Sequence, residues 1–501
     1  MSNGFDNSVC GQYQFSLFSS RHGCWDYLFL LRGKPLRTLG ITYSACTSCR
    51  QLIPAKIVSI DGDVYFDKFC PEHGSSRTLV RRDTRNYLET LRYVKPAWIP
   101  EVFSGGSGGG CPGDCGFCQL HEQHLCMPIV EITSRCDLAC PACLVDAGEP
   151  RDMSLKEFTR LLDRLIATER QIDILNLSGG EPLMHPRLLA LLDEALTRPE
   201  IVRVSISTNG LALLERSDYL LELSKRSVVV SLQFDGFGAK AYEILRGRSL
   251  LSEKLRILDL LREANITTSL TMTVAGGLND DQFPEVLQYF FAQPHIASLM
   301  IQPLAFVGRG ERLRGIVTRS TIPDIIKKLS ESGLPQVLAE DFSPLPCSHP
   351  LCFTLAFYLM LDGGGMASLN RLIDAARWLD ALANRTVFGL DQEEHEQMKD
   401  MIYELWSGPV GAAPDSEAIL PTLRRILDEL ARRRFDPREA FSITERRVKS
   451  IFLHAFQDAE TFDLARARRC CNAYPQSDGR LLPACMRNVL GCASSGVKKP
   501  A

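Results

Sequence analysis

Between residues 127 and 306 the chain alternates two hydrophobic rhythms. Short apolar, β-branched runs occur at MPIVEIT (127–133), DILNLSGGEP (173–182), VRVSISTNG (202–210), VVVSLQFDG (228–236), ITTSLTMTVAGG (266–277) and IASLMIQPLAF (296–306). Most of them run into Gly, Asn, Asp or Pro. Around and between them lie segments of helical period: SLKEFTRLLDRLIATER, HPRLLALLDEALTR, DYLLELSKRS, LSEKLRILDLLREA and DQFPEVLQYFFAQ. Strand and helix in alternation predict an α/β fold with a parallel sheet and crossover helices. Six strands predict an open, partial (β/α)6 TIM barrel, whose chemistry belongs at the carboxyl ends of the strands.

The flanks read differently. Residues 36–85 suggest short strands and turns, with a hairpin around Asp61-Gly62. SGGSGGG at 104–110 is a flexible hinge. Beyond residue 310 the pattern becomes mostly helical, broken by LDGGG at 361–365 and by SGPVGAAPDSE. The expected division is 1–103, an N-terminal domain with a metal knuckle; 104–126, a cysteine-rich segment; 127–310, the barrel; and 311–501, a C-terminal, mostly helical cap that also carries cysteines.

Composition narrows the classes. With 45% apolar and 23% charged residues the chain can bury a substantial core. A net charge of −3 offers no electrostatic case for nucleic acid or an anionic membrane. The N-terminus lacks the basic-then-apolar pattern of a signal peptide, and WDYLFLLRG is far short of a membrane span. A cytoplasmic protein without transmembrane segments is expected, and in that compartment eighteen cysteines argue for metal binding rather than disulfides.

The cysteines cluster. EITSRCDLACPACLVDAG carries Cys136, Cys140 and Cys143 directly after the first barrel strand. Thiolates select iron–sulfur clusters, zinc or copper(I). A 4Fe–4S cube held by three cysteines keeps one iron open, whereas the competing zinc knuckle would need a fourth ligand from elsewhere. Cys46-x2-Cys49 followed by Cys70-Pro-Glu-His73 reads as a zinc-ribbon or rubredoxin-like site for one zinc or iron ion, with a reduced Cys-x-x-Cys turn as the alternative. Cys111-x3-Cys115-x2-Cys118-x7-Cys126 reads as a fully ligated auxiliary iron–sulfur cluster, with zinc as runner-up. Cys347 and Cys352 in LPCSHPLC, with Cys470 or Cys471 and Cys485, offer a further auxiliary site that only the fold can assemble. Cys10 and Cys24 read as ordinary thiols.

Cys-x3-Cys-x2-Cys at the end of the first strand resembles the radical SAM superfamily, as do SGGEP (Ser178, Gly179, Gly180, Glu181, Pro182) after strand 2 and STNG (Ser207, Thr208, Asn209, Gly210) after strand 3. The resemblance implies that Cys136, Cys140 and Cys143 hold a catalytic 4Fe–4S cluster and that 127–310 is the radical SAM core. It implies that Ser178–Pro182 contact the methionine amino group of S-adenosylmethionine and that Ser207–Asn209 contact its methionine or ribose. It further implies cleavage of a carbon–sulfur bond by one electron, delivered by a flavodoxin- or ferredoxin-type donor. One departure is Ala142, where members often carry an aromatic residue.

The order of the cysteine motifs over roughly residues 40–490 resembles the tetraether lipid synthase and pterin dimethyltransferase group. The implied activity is a new bond to carbon on an apolar, lipid-like or small-molecule substrate, with peripheral membrane association if the substrate is a lipid. The alternative is transfer of a methyl or 3-amino-3-carboxypropyl group from S-adenosylmethionine to a pterin, a natural product or a thiophilic atom such as arsenic. A multi-cluster redox protein without turnover is the competing class. In the group's pattern one cysteine leads the DGR motif, so register makes Cys470 the ligand and Cys471 the extra thiol.

Overall fold

The computed structural model describes residues 36–95, 97–106, 111–112, 115–144, 151–334, 336–345, 347–372, 396, 400, 403, 416–431 and 436–491. Cys10, Cys24, residues 107–110 of the hinge and most of the SGPVGAAPDSE loop lie outside the described residues.

Four strands open the described chain: β1 (Leu36–Ala45), β2 (Leu52–Ile60), β3 (Asp63–Cys70) and β4 (Gly74–Arg81). They pair antiparallel in chain order. The β2–β3 turn is Asp61-Gly62, both with positive φ (52° and 87°). Tight hairpins need that conformation at both central residues, which is why Asp-Gly marks them in a sequence. Alternate residues of β3, Val64 and Phe66, are buried together with Ala55 and Ile57 of β2. Lys68 fastens this sheet to the rest of the molecule: its buried Nζ donates to the carbonyls of Ala45 (3.0 Å), Ala459 (3.0 Å) and Glu460 (2.9 Å).

Six parallel strands follow in sequential order: β5 (Met127–Thr133), β6 (Ile172–Gly179), β7 (Ile201–Thr208), β8 (Val229–Gln233), β9 (Thr268–Val274) and β10 (Ile296–Pro303). Helices Leu155–Glu169, Leu188–Leu196, Ser217–Lys225, Ala239–Arg246, Leu251–Glu263 and Phe283–Ala292 separate them. The first starts at a capping box in which Ser154 and Glu157 satisfy each other's backbone N–H groups. Its buried stripe, Phe158, Leu162 and Leu165, recurs at helical spacing. That stripe belongs to one core with Leu175 and Leu177 of β6 and Val204 and Ile206 of β7. Each such side chain contributes about 1.5–3 kcal/mol by leaving water. The intervening residues, Ile174, Asn176 and Ser178 of β6 and Ser205 and Ser207 of β7, face the barrel interior instead.

The C-terminal part contributes strands as well as helices: β11 (Ser343–Pro344), β12 (Phe353–Met360), β13 (Met366–Ser368), β14 (Val448–His454), β15 (Asn472–Pro475) and β16 (Leu481–Pro483). β14 runs parallel beside β10 and antiparallel to β12. β15 runs parallel beside β5 and antiparallel to β16. Both edges of the open barrel are therefore extended by one and the same C-terminal region. The edges meet in a small buried cluster that joins Cys126 and Cys471 from the β5–β15 side to Leu345, Cys347, Cys352, Phe353 and Leu355 from the β12 side.

Candidate active site

A cavity of about 950 Å³ runs through the barrel, lined by Cys136, Cys140 and Cys143 and by the loops after β6 and β7. The SGGEP loop lies against the cysteine loop: Gly180 N–H donates to Thr133 O (2.8 Å) and Glu181 N–H to Arg135 O (2.6 Å). This approach requires glycine. A Cβ on Gly179, whose φ is 131°, would sit 2.1 Å from Thr133 O, and one on Gly180 2.1 Å from Arg135 O. Without side chains, the two glycines leave a cradle beside the trio, as a small polar ligand requires.

Glu181 is buried and ties the SGGEP and STNG loops together. Its carboxylate accepts from Leu183 N (3.0 Å), Thr208 Oγ1 (2.6 Å) and Asn209 N (2.7 Å). Burial pushes its pKa up to about 7, against the pull of those donors. Asn209 reaches back to Asp137 Oδ1 (2.6 Å), so the STNG turn is locked to the cysteine loop. Pro182 is buried, while Ser178 and Ser207 line the cavity.

Arg246 ends the helix after β8 with its guanidinium buried. It donates in bidentate fashion to Asp235 (2.6 and 2.8 Å) and to Thr273 Oγ1 (2.9 Å). It also lowers the pKa of Cys140, although burial is the larger influence and raises it. A fixed cation beside this thiol would offset the negative charge that three thiolates accumulate. Nothing in ILRGRS reports that Asp235 lies opposite, so the sequence alone does not single out Arg246. Cys136 is exposed as a residue, but partial desolvation of its thiol, with the nearby charges of Asp137 and Glu181, pushes its pKa up to about 11. The thiol set, open to a glycine-lined cradle and flanked by a cation, suits a 4Fe–4S cluster with one open iron.

The knuckle residues converge as a single-ion site. Cys46, Cys49, Cys70 and His73 place one ligand atom each within 4.8 Å of all the others. Cys49 Sγ is 3.9 Å from Cys70 Sγ, and His73 Nδ1 is 3.5 Å from Cys70 Sγ. Burial disfavours the Cys46 thiolate, but the backbone N–H groups of Cys49 and Ser48 and the thiols of Cys49 and Cys70 together outweigh it and hold the pKa near 7.

The remaining cysteines are distributed in a way their spacing did not reveal. Cys126 joins Cys347 and Cys471, all three thiols lying within 4.8 Å of one another. Cys485, buried, and Cys470, half-buried, lie instead near Cys352, which raises the thiol pKa of both in addition to the larger effect of burial. Cys352 Sγ accepts from Arg466 Nε (3.3 Å) and Cys485 Sγ from Gln457 N–H (3.4 Å). Cys115 packs in another buried cluster with Phe462, Leu482 and Met486, and Cys118 is also buried. His124 lies 3.7 Å from Cys126 Sγ and pairs through Nδ1 with Glu169 (3.0 Å). Burial works against its charge, but Cys126 and Glu169 hold its pKa at about 11. His121 stacks on Phe117.

Known families agree with this site. Residues 130–290 match the Radical SAM superfamily, and residues 38–82 match the HMPTM N-terminal zinc ribbon domain. Residues 130–290 thus form a radical SAM domain, whose class uses a 4Fe–4S cluster, S-adenosylmethionine and an external electron donor. The chain is similar along nearly its whole length to 7,8-dihydro-6-hydroxymethylpterin dimethyltransferase of Methanocaldococcus jannaschii, at 26% identity over 90% of this chain and 93% of the relative. GTP 3′,8-cyclase of Streptomyces coelicolor is 27% identical over 38% of this chain and 58% of its own. Among solved structures, Streptococcus suis SuiB bound to its precursor peptide SuiA aligns with 42% of this chain and 46% of its own, at 15% identity and a TM-score of 0.36. Among the described residues, no helix is long and apolar enough to cross a membrane.

Proposed function

We propose that this enzyme transfers a carbon unit derived from S-adenosylmethionine to a small, flat, polar heterocycle of the pterin kind. The observation that carries the reading is the two-faced cavity. One wall, the barrel interior, presents Asn176, Ser205, Ser207, Ser231, Ser269, Thr271 and Ser298. The part of the lining that comes from the C-terminal strands and the segment after β14 presents Phe353, Phe357, Phe452 and Phe456. Aromatic faces stack on a flat ring while hydroxyls and an amide pair with its nitrogens and oxygens. The polar groups also bond among themselves, Ser205 and Ser207 to Asn176 (3.0 Å each), Ser231 with Thr271 (3.1 Å) and Ser298 to Ser269 (2.6 Å), and so form a connected polar surface. The similarity to the pterin dimethyltransferase supports the same substrate class.

In this reading Cys136, Cys140 and Cys143 hold the cluster, and Ser178–Pro182 with Ser207–Asn209 hold the cofactor beside it. When bound, the cluster supplies the electron that breaks a carbon–sulfur bond of S-adenosylmethionine. The protein's residues orient the cofactor and substrate and exclude water. The electron comes from a flavodoxin- or ferredoxin-type partner, and Cys46, Cys49, Cys70 and His73 take one zinc ion.

The test is mass spectrometry after incubating reduced, cluster-reconstituted enzyme with S-adenosylmethionine and 7,8-dihydro-6-hydroxymethylpterin. The expected result is cofactor cleavage together with a pterin gaining one or two methyl masses. Cleavage with the pterin unchanged, beside a modified lipid or arsenical offered in parallel, would overturn the reading.

A further inference from the structure

The adjacent cysteines Cys470 and Cys471 point to different places. Cys471 directly precedes β15, and Cys126 directly precedes β5, the strand beside it. Parallel pairing of Asn472 with Met127 brings the two cysteines level, and Cys126 N–H donates to Cys471 O (3.0 Å). Cys347 arrives from the opposite edge of the sheet, in the turn before β12. Its Sγ lies 3.8 Å from that of Cys471. All three thiols are buried side chains, and Cys347 and Cys471 also line the barrel cavity.

Spacing discriminates between occupants. Tetrahedral geometry with metal–sulfur bonds of about 2.3 Å places neighbouring sulfurs about 3.8 Å apart. A four-iron cube sends each thiolate outward from a different corner and holds them considerably farther apart. Three sulfurs within 4.8 Å of one another therefore suit one ion. Among the described residues no fourth Cys, His, Asp or Glu ligand atom joins the group.

We propose that Cys126, Cys347 and Cys471 form a three-thiolate site for a single thiophilic ion, which clasps the two edges of the open barrel. Cys470 takes no part and belongs with Cys352 and Cys485. Binding moves no electrons. Zinc displaces thiol protons to solvent, whereas arsenite, As(OH)3, exchanges three As–O bonds for three As–S bonds and releases three waters. The site does not rest on the pterin reading.

The test uses full-length protein reconstituted with iron and sulfide, then offered zinc or, separately, arsenite. Bound zinc, arsenic and iron are counted by plasma mass spectrometry after desalting. Cys471→Ser should bind one equivalent fewer of zinc or of arsenic than the unsubstituted chain, with iron unchanged, and Cys470→Ser should match the unsubstituted chain. Which arm shows the deficit identifies the ion. Cys347→Ser repeats the measurement from the other edge, should Cys471→Ser fold poorly. Loss of about four irons in Cys471→Ser, an unchanged count of both zinc and arsenic, or the same deficit in Cys470→Ser would each overturn the proposal. S-adenosylmethionine cleavage, measured on the same samples, separates this failure from a failure of the radical site.

Discussion

Strand β5 carries a thiol group at each end, and the two are built in opposite ways. At its carboxyl end Cys136, Cys140 and Cys143 come from one loop eight residues long. At its amino end Cys126 meets Cys347 and Cys471, which lie more than two hundred residues away along the chain. About 20 Å of extended backbone separates the two ends. The first group is a local object that needs only a loop and a cradle. The second exists only once both edges of the sheet are in place, so it reports on the closed fold. The first is also left partly open, Cys136 being exposed and Cys140 and Cys143 half-buried, as a site that must admit a cofactor requires. The second is fully buried, as befits a site that holds rather than reacts.

The sharpest way to break this comparison is Cys140→Ala. Cofactor cleavage should be abolished, measured as loss of every S-adenosylmethionine fragment, while zinc or arsenic binding at the β5–β12 seam stays as in the parent. Loss of both together would mean that the ends are not independent.

A second cut removes the cation beside the trio. Arg246→Met leaves Asp235 buried and uncompensated, and breaking such a pair costs about 3–5 kcal/mol. Urea unfolding should show a loss of that size, and cofactor cleavage should fall with it. A stability change under 1 kcal/mol would show that Asp235 finds another partner.

The smallest effect sharpens the role of Glu181. Its pKa is raised by burial from 4.5 to about 7, so the native state holds this proton longer than the unfolded chain does. The stability contributed is therefore complete below about pH 4.5 and is lost as the pH rises to about 7, by up to about 3 kcal/mol. Unfolding of the parent chain between pH 5 and 8 should weaken along that course, and Glu181→Gln should flatten it. Parallel pH profiles for the two proteins would show that the three donors, rather than burial, govern this carboxyl.

Much of this was legible in the residues. The period-two and period-3.6 rhythms marked six strands and their crossover helices, because a strand packed beneath a helix must be apolar on that face. Asp61-Gly62 marked its hairpin, because few dipeptides tolerate positive φ at both positions. Cys136, Cys140 and Cys143 declared themselves, because their loop alone sets their separation. Arg246 did not, since its meaning lies in Asp235 and Cys140, which other elements bring to it.

The sequence by itself therefore determined the parallel barrel, the cysteine loop at its mouth and the glycines that let the next loop approach. Each depends on neighbours a few residues apart. Only the tertiary structure decided how the thiols outside that loop and the N-terminal knuckle are shared. Register with the DGR motif made Cys470 the ligand and Cys471 the surplus. Yet side chains of consecutive residues entering a strand point to opposite sides, so Cys471 faces Cys126 and Cys347 while Cys470 faces Cys352 and Cys485. Which partner each meets depends on β14 and β15 settling on opposite edges of one sheet, a matter of strand pairing that no local pattern encodes.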